Sequence, residues 1–139
     1  MARPVLVDAN ILMDVLNGDP NWLSWSLNQL ESARKTSRVV VNPIVCAEIA
    51  PYFGLDWRKL DGWLKPGSFR REPLPFEASV VAARAYQQYR RSGGTRTSSL
   101  PDFYIGAHAE TAGYSLLTRD VSRYRTYFPT VSLIVPPGC

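Results

Sequence analysis

Histidine occurs once in this chain, cysteine twice and lysine only three times. Cys46 lies in an apolar segment and Cys139 ends the chain, so the pair offers neither metal-ligand spacing nor a disulfide framework. Cys46 reads instead as a small core residue. The lone His108 stands among alanines and reads as a surface or half-buried helix residue, which leaves no basis for a His-based catalytic triad. No apolar stretch approaches the ~20 residues of a membrane span. An acid follows the first apolar run too early for a charged-then-apolar leader, so the chain reads as soluble and cytoplasmic, with no membrane partner. No glycine-rich loop follows that run either, which argues against a Rossmann or P-loop nucleotide site. With lysine confined to Lys35, Lys59 and Lys65, arginine carries most of the net charge of +4. Excess positive charge favours an anionic partner, nucleic acid or an acidic peptide, and the guanidinium fork suits phosphate and carboxylate.

What is present fits one domain spanning 1–139, long enough to bury a core without staples. Val5-Leu6-Val7 is apolar on both faces, as in a strand buried within a parallel sheet. Asp19-Pro20 pairs an N-cap residue with a first-turn proline and is expected to open the first helix, with Leu23, Leu27 and Leu30 as its core stripe. Val39-Val40-Val41 is a second buried strand. Asn42-Pro43 then caps a helix running towards Pro51, and Asp56 caps another with Trp57, Leu60 and Leu64 on one face. Phe69–Leu74 allows only an edge strand, because Pro73 and Pro75 exclude a central one. A long helix spans 76–91 with Phe76, Val80 and Ala83 inward, and Arg90-Arg91 suit its C-terminal dipole. Leu100-Pro101-Asp102 opens a helix that ends at Gly113. The strand Ser115–Thr118 follows, then a short helix capped by Ser122 and a last strand over 131–135. Strands alternating with helices imply an α/β fold, a three-layer α/β/α sandwich around a mainly parallel sheet.

Four acids occupy unusual places in that framework. Asp8 ends the first strand, Glu48 interrupts an apolar helix after the second, Asp102 sits in a first helical turn, and Asp120 follows the strand at Leu117. In a parallel sheet all four can reach the same carboxyl edge, where α/β folds place their ligand crevice. Taken singly, Asp102 is explained as an acid stabilising a helix dipole and Asp120 as a turn residue. Glu48 and Asp8 are less easily explained: no basic residue lies within a helical turn of Glu48, and Ala9 and Ile11 do not make a turn after Asp8. Asp14 fits a solvated face or a cap. Clustered carboxylates repel unless cations neutralise them or their pKa values rise. An all-oxygen ligand set selects Mg²⁺ or Mn²⁺ over zinc. Two such ions can activate water and stabilise the leaving oxygen of a phosphodiester. Asn10 and Thr118 place neutral oxygens beside two of the acids, either as orienting groups or as purely structural ones.

The pieces Val7-Asp8-Ala9-Asn10-Ile11-Leu12, Asn42-Pro43-Ile44-Val45-Cys46-Ala47-Glu48-Ile49, Pro101-Asp102-Phe103-Tyr104-Ile105-Gly106-Ala107-His108-Ala109 and Leu117-Thr118-Arg119-Asp120 appear in this order along the chain. Together they resemble PIN-domain proteins, and among those the toxins of VapBC toxin–antitoxin pairs. The resemblance covers essentially the whole chain. It implies a metal-dependent endoribonuclease in which Asp8, Glu48, Asp102 and Asp120 are the catalytic, metal-binding quartet and Asn10 and Thr118 the supporting polar groups. Asp120 falls at a position that varies in the family. The resemblance also implies a homodimer silenced by a cognate antitoxin. RNA as substrate agrees with the positive charge, and Arg90, Arg91, Arg96 and Arg119 are the candidate phosphate contacts. Two other readings stay open. One is a receiver-like signalling domain, although no lysine follows the last strand. The other is a catalytically idle PIN-like module that binds RNA or protein.

Overall fold

The computed structural model describes residues 2–93 and 98–138. Its five strands, β1 (Val5–Val7), β2 (Val39–Val41), β3 (Arg70–Arg71), β4 (Ser115–Leu117) and β5 (Leu133–Ile134), form one sheet in the order β3-β2-β1-β4-β5. Every pairing is parallel, with Leu6 of β1 flanked by Val40 and Leu116. Parallel neighbours require crossover connections, and the helices that make them form the outer layers of an α/β/α sandwich. β1 and β2 are buried along their whole length, which is why both read as unbroken apolar runs. β3 lies at one edge, where the flanking prolines cost no ladder hydrogen bond.

The strand order reverses between β1 and β4, a topological switch point, and the crevice of an α/β sheet opens there at the carboxyl ends. The residues that step off the three inner strands are Asp8, Asn42 and Thr118. All three are polar and all three are buried. A backbone bond from Asp8 N to Leu117 O, 2.9 Å long, closes the sheet just before the crevice.

The first helix is not where the sequence suggests. Helix α1 (Ala9–Asn17) begins directly after β1, capped by Asp8 in extended conformation and closed by Gly18 at φ 61°. A strand running straight into a short apolar helix presents one continuous hydrophobic stretch, and the change of period is hidden in it. Asp19 instead shapes a turn, accepting from the backbone N–H groups of Asn21 and Trp22 at 2.8 and 2.9 Å. Helix α2 (Leu23–Thr36) starts after that turn, burying Ser26, Leu30 and Ala33 while Leu27 is exposed. Helix α3 (Pro43–Ile49) is capped by Asn42 as expected and tightens into a 3₁₀ turn over Ala50–Phe53. Helix α4 (Trp57–Trp63) is capped by Asp56 and buries Leu60, with Leu64 buried just beyond it; Trp57 faces outward beneath the Arg71 guanidinium.

Helix α5 (Ala78–Arg91) packs along α6 (Leu100–Ala112) in the most extensive helix pairing of the described residues. Its inward face is Ala78, Ala82, Ala85 and Tyr89. The expected face is turned to solvent, with Phe76 91% and Val80 69% exposed. Alanine, carrying little hydrophobic area, lets the two helix backbones approach closely, so the largest apolar residues mark the wrong side. Helix α7 (Val121–Tyr127) has Asp120 rather than Ser122 at its N-cap position. His108 is fully buried, not at the surface. Asp14 is buried too and bonded by Arg119 and Ser26, not solvated. Among the described residues no helix is long and apolar enough to cross a membrane.

Candidate active site

Asp8 sits at the switch point because β1 ends there and α1 needs a cap. Its Oδ1 accepts the Ala9 N–H at 2.8 Å. Its Oδ2 accepts from Thr118 Oγ1 at 2.8 Å, Tyr124 Oη at 3.1 Å and Asn10 Nδ2 at 3.2 Å. Four donors hold the carboxylate, yet none of them carries a charge. Burial therefore raises the Asp8 pKa above the ordinary range, against the pull of Thr118, Tyr124, the Ala9 N–H and the nearby Arg123. Thr118 Oγ1 also accepts from Asp120 N at 2.9 Å, and Asn10 Oδ1 from Arg119 N at 3.2 Å. Asn10 and Thr118 thus tie Asp8 to the end of β4.

Glu48 arrives from the last turn of α3. It is half-buried, and its Oε1 is closed off from solvent without a hydrogen-bond donor in the described residues. Burial, then the charges of Asp8 and Asp102, push its pKa up to about 7, with Arg123 opposing them. Asp102 comes from the first turn of α6. Its Oδ2 accepts from Ser99 N at 2.6 Å and Ser99 Oγ at 3.2 Å, which closes a capping box and fixes the side chain at the helix start.

The fold thus brings Asp8 and Asp102, from two other elements, into electrostatic range of Glu48. Asp120 lies beside them with a different partner, its Oδ2 3.0 Å from an Arg123 guanidinium nitrogen. Arg123 also donates to Ser98 Oγ at 2.9 Å. Burial would lower its pKa, but Asp120, Tyr124 and Asp102 outweigh that and raise it, so the cation persists. Tyr124, buried and facing Asp8, has its pKa raised well above the ordinary value by burial first and by the Asp8 charge second. A polar hollow of about 320 Å³ opens next to these groups, lined by Ser98, Asp120, Ser122, Arg123 and Thr126 among others.

A hard divalent cation fits this donor set in chemistry. The acids offer oxygen only, and Glu48 carries a buried oxygen that nothing among the described residues satisfies. No three Asp, Glu, His or Cys side chains among the described residues are gathered closely enough to form a cation cage by themselves. Such an open arrangement suits an ion that keeps several of its waters, as Mg²⁺ does.

Of the expected phosphate contacts, Arg119 is already engaged. Its Nε and Nη2 donate to the two Asp14 oxygens at 2.9 and 2.7 Å, and its guanidinium lies 4.9 Å from the centre of the Trp22 ring. Arg90 and Arg91 are exposed at the end of α5, Arg90 beside the Tyr86 ring. Arg96 lies outside the described residues. The sequence reading missed Arg123 and Tyr124. The only signal for Arg123 is its spacing of three from Asp120 on a short helix, which is common on solvated surfaces.

This sheet order, with acidic residues at the switch point, places the protein in a defined class. A family model for the PIN domain matches residues 5–129, and the chain belongs to that family. No curated protein matches it significantly by sequence. In shape it is similar to a chain of VapBC2 from Rickettsia felis, solved bound to a DNA fragment from its promoter (TM-score 0.74, 18% identity, covering 96% of this chain and 98% of that one). It is also similar to a chain of DNA-bound VapBC from Salmonella typhimurium (TM-score 0.69, 16% identity, 97% and 98% covered). FitAcB from Neisseria gonorrhoeae is a third such structure (TM-score 0.63, 19% identity, 94% and 96% covered). At these identities the likeness is one of fold.

Proposed function

We propose that this protein is a VapC-type toxin, a Mg²⁺- or Mn²⁺-dependent endoribonuclease held silent by a cognate antitoxin. One observation carries the reading: the half-buried Glu48 stands within electrostatic range of both Asp8 and Asp102 at the carboxyl edge, with its Oε1 closed off from solvent and given no donor among the described residues. A structural role would not require three acids to meet where, among the described residues, Arg123 is the one cation acting on Asp8 and Glu48 and leaves both pKa values raised. The structural likeness to VapBC complexes supports an antitoxin partner; with it we propose action in the cytoplasm, RNA as substrate and a homodimer as the working form.

Asp8, Glu48 and Asp102 hold the cation in this reading, with Asp120 at its margin. Bound there, the ion supplies charge neutralisation and Lewis acidity at a phosphodiester. The chain's own residues do the rest. Thr118, Tyr124 and Asn10 fix the Asp8 carboxylate in one orientation, so no reorganisation is needed when substrate arrives. Glu48 offers its buried oxygen, which has no donor among the described residues, to the cation. Arg123 contributes a fixed positive charge at the rim of the hollow, where a phosphate would approach.

Purified protein free of antitoxin is expected to cleave RNA with Mg²⁺ or Mn²⁺ and to stop with EDTA. Asp8→Asn or Asp102→Asn is expected to lower the rate about a hundredfold or more, the several kcal/mol that a positioned cation contributes. Circular dichroism should show the fold unchanged. Cleavage at the wild-type rate by either variant would remove the basis of the assignment.

A further inference from the structure

The only histidine, His108, lies on α6 with no exposed surface, and Asn42, at the end of β2, is 1% exposed. Asn42 Nδ2 and His108 Nδ1 are 3.1 Å apart. The other end of the Asn42 amide, Oδ1, accepts the Val45 N–H at 3.0 Å and so caps α3. A backbone N–H can only donate, so that end of the amide must be the oxygen and the end facing His108 must be the NH₂ group. Nδ1 of His108 must therefore be the bare acceptor, and the ring proton sits on Nε2. Nε2 lies 3.6 Å from Glu72 Oε1, close enough for electrostatic attraction and too long for a hydrogen bond. Glu72 is held in turn by Tyr114 Oη, whose single proton is shared between the two carboxylate oxygens at 2.9 and 2.8 Å, and by Arg70 Nε at 3.0 Å.

Helix α3 carries Glu48 and helix α6 carries Asp102, and the two helices pack against each other. We infer that His108, locked in the Nε2–H tautomer, is a positioning residue: its bare Nδ1 clamps the Asn42 cap and so registers the helix bearing Glu48 against the helix bearing Asp102. Without the acceptor, a buried Asn42 N–H is left unsatisfied and the amide turns to find another partner, releasing Val45. The role in metal binding rests on the function proposed above; the clamp itself does not.

Two substitutions separate the ring's two nitrogens. His108→Asn places an amide oxygen where Nδ1 was and keeps the acceptor for Asn42. His108→Gln reaches the Nε2 position, keeping a polar group on the Glu72 side and losing the acceptor. The tag-free protein has one imidazole, so ¹⁵N NMR reads its tautomer without assignment ambiguity. The expected result is a bare Nδ1 and a protonated Nε2 at neutral pH. Hydrogen exchange at the Val45 amide should speed up about tenfold in His108→Gln, the size of a lost helix cap, and stay near wild type in His108→Asn. Mn²⁺ titration should show His108→Gln binding about tenfold more weakly and His108→Asn close to wild type. A protonated Nδ1, or equal Val45 exchange in the two variants, would overturn the clamp. Wild-type protein that binds no Mn²⁺ would instead count against the proposed function, with the NMR and exchange arms still deciding the clamp. Normal Mn²⁺ affinity in His108→Gln, with exchange altered as expected, would overturn the positioning role.

Discussion

Asp8 and Asp14 are six residues apart, both buried, and both on or next to α1. Asp14 receives a two-pronged guanidinium from Arg119 and a hydroxyl from Ser26 at 2.7 Å. Asp8 receives only neutral donors and shares its surroundings with two more acids. The first arrangement is complete within the protein. The second lacks a positive charge that its donor chemistry would accept. Burial of an acid therefore does not by itself distinguish a site from a support; what matters is whether the chain supplies the counter-charge.

The largest expected effect tests the complete side. Arg119→Ala leaves Asp14 buried without its partner, and removing one member of such a pair costs about 3–5 kcal/mol. Arg119 is partly exposed, which puts the loss at the lower end of that range. Asp8→Asn should behave oppositely, lowering cleavage about a hundredfold or more while thermal unfolding stays level or rises, because it removes a buried charge that Arg123 offsets only in part and whose hydrogen bonds among the described residues all come from neutral groups. Denaturation curves of the two variants side by side would break the comparison if both fell equally.

A smaller effect tests the incomplete side. If the missing charge is a divalent ion, Mg²⁺ or Mn²⁺ at a hundred times its dissociation constant stabilises the wild type by about 2.7 kcal/mol. The gain should vanish in Asp8→Asn and persist in a variant altered at Arg90. A cation effect that survives Asp8→Asn would place the ion elsewhere.

The pH dependence sharpens the contrast further. The folded-state pKa of Glu48, about 7, lies above its ordinary 4.5. The folded state therefore binds that proton more tightly than the unfolded one. The stabilisation is fully present below about pH 4.5 and is lost as pH rises through about 7. Asp8 shifts in the same direction and buried His108 in the opposite one, so the total slope is mixed. The difference between wild type and Glu48→Gln isolates the carboxylate. In metal-free buffer, Glu48→Gln should gain on wild type in Tm as pH rises from 5 to 8. Added Mg²⁺ should narrow that gap at pH 8. Parallel curves would show that neither burial nor the neighbouring acids raise the Glu48 pKa.

How far these features were legible in the sequence follows from the same physics. The inner strands and the caps Asn42 and Asp56 were readable because each depends on local residue type. That Asp8, Glu48 and Asp102 share an edge follows from parallel topology, which alternation alone implies. Helix α1 was hidden because it is short and follows a strand without a break in hydrophobicity. The face of α5 was misjudged because close helix packing selects alanine over larger residues. Asp14–Arg119 and Asn42–His108 join residues far apart in the chain, and no local pattern marks either pair. The lone histidine reads as peripheral in sequence for that reason. Its importance lies in what the fold places against it.

The smallest effect concerns the exposed arginines. Arg90 and Arg91 end α5 on a solvated surface, so charge-neutral substitutions there should leave stability within about 0.5 kcal/mol of wild type. If they touch RNA phosphates, each loss reduces the slope of log affinity against log salt by about 0.7, the single-strand value. Binding should be measured with Asp8→Asn as background so that cleavage does not consume the RNA. A double substitution that lowers the slope by about 1.4 assigns both residues to the substrate path. An unchanged slope returns them to the helix dipole, where two cations in a last turn already have a sufficient reason to be.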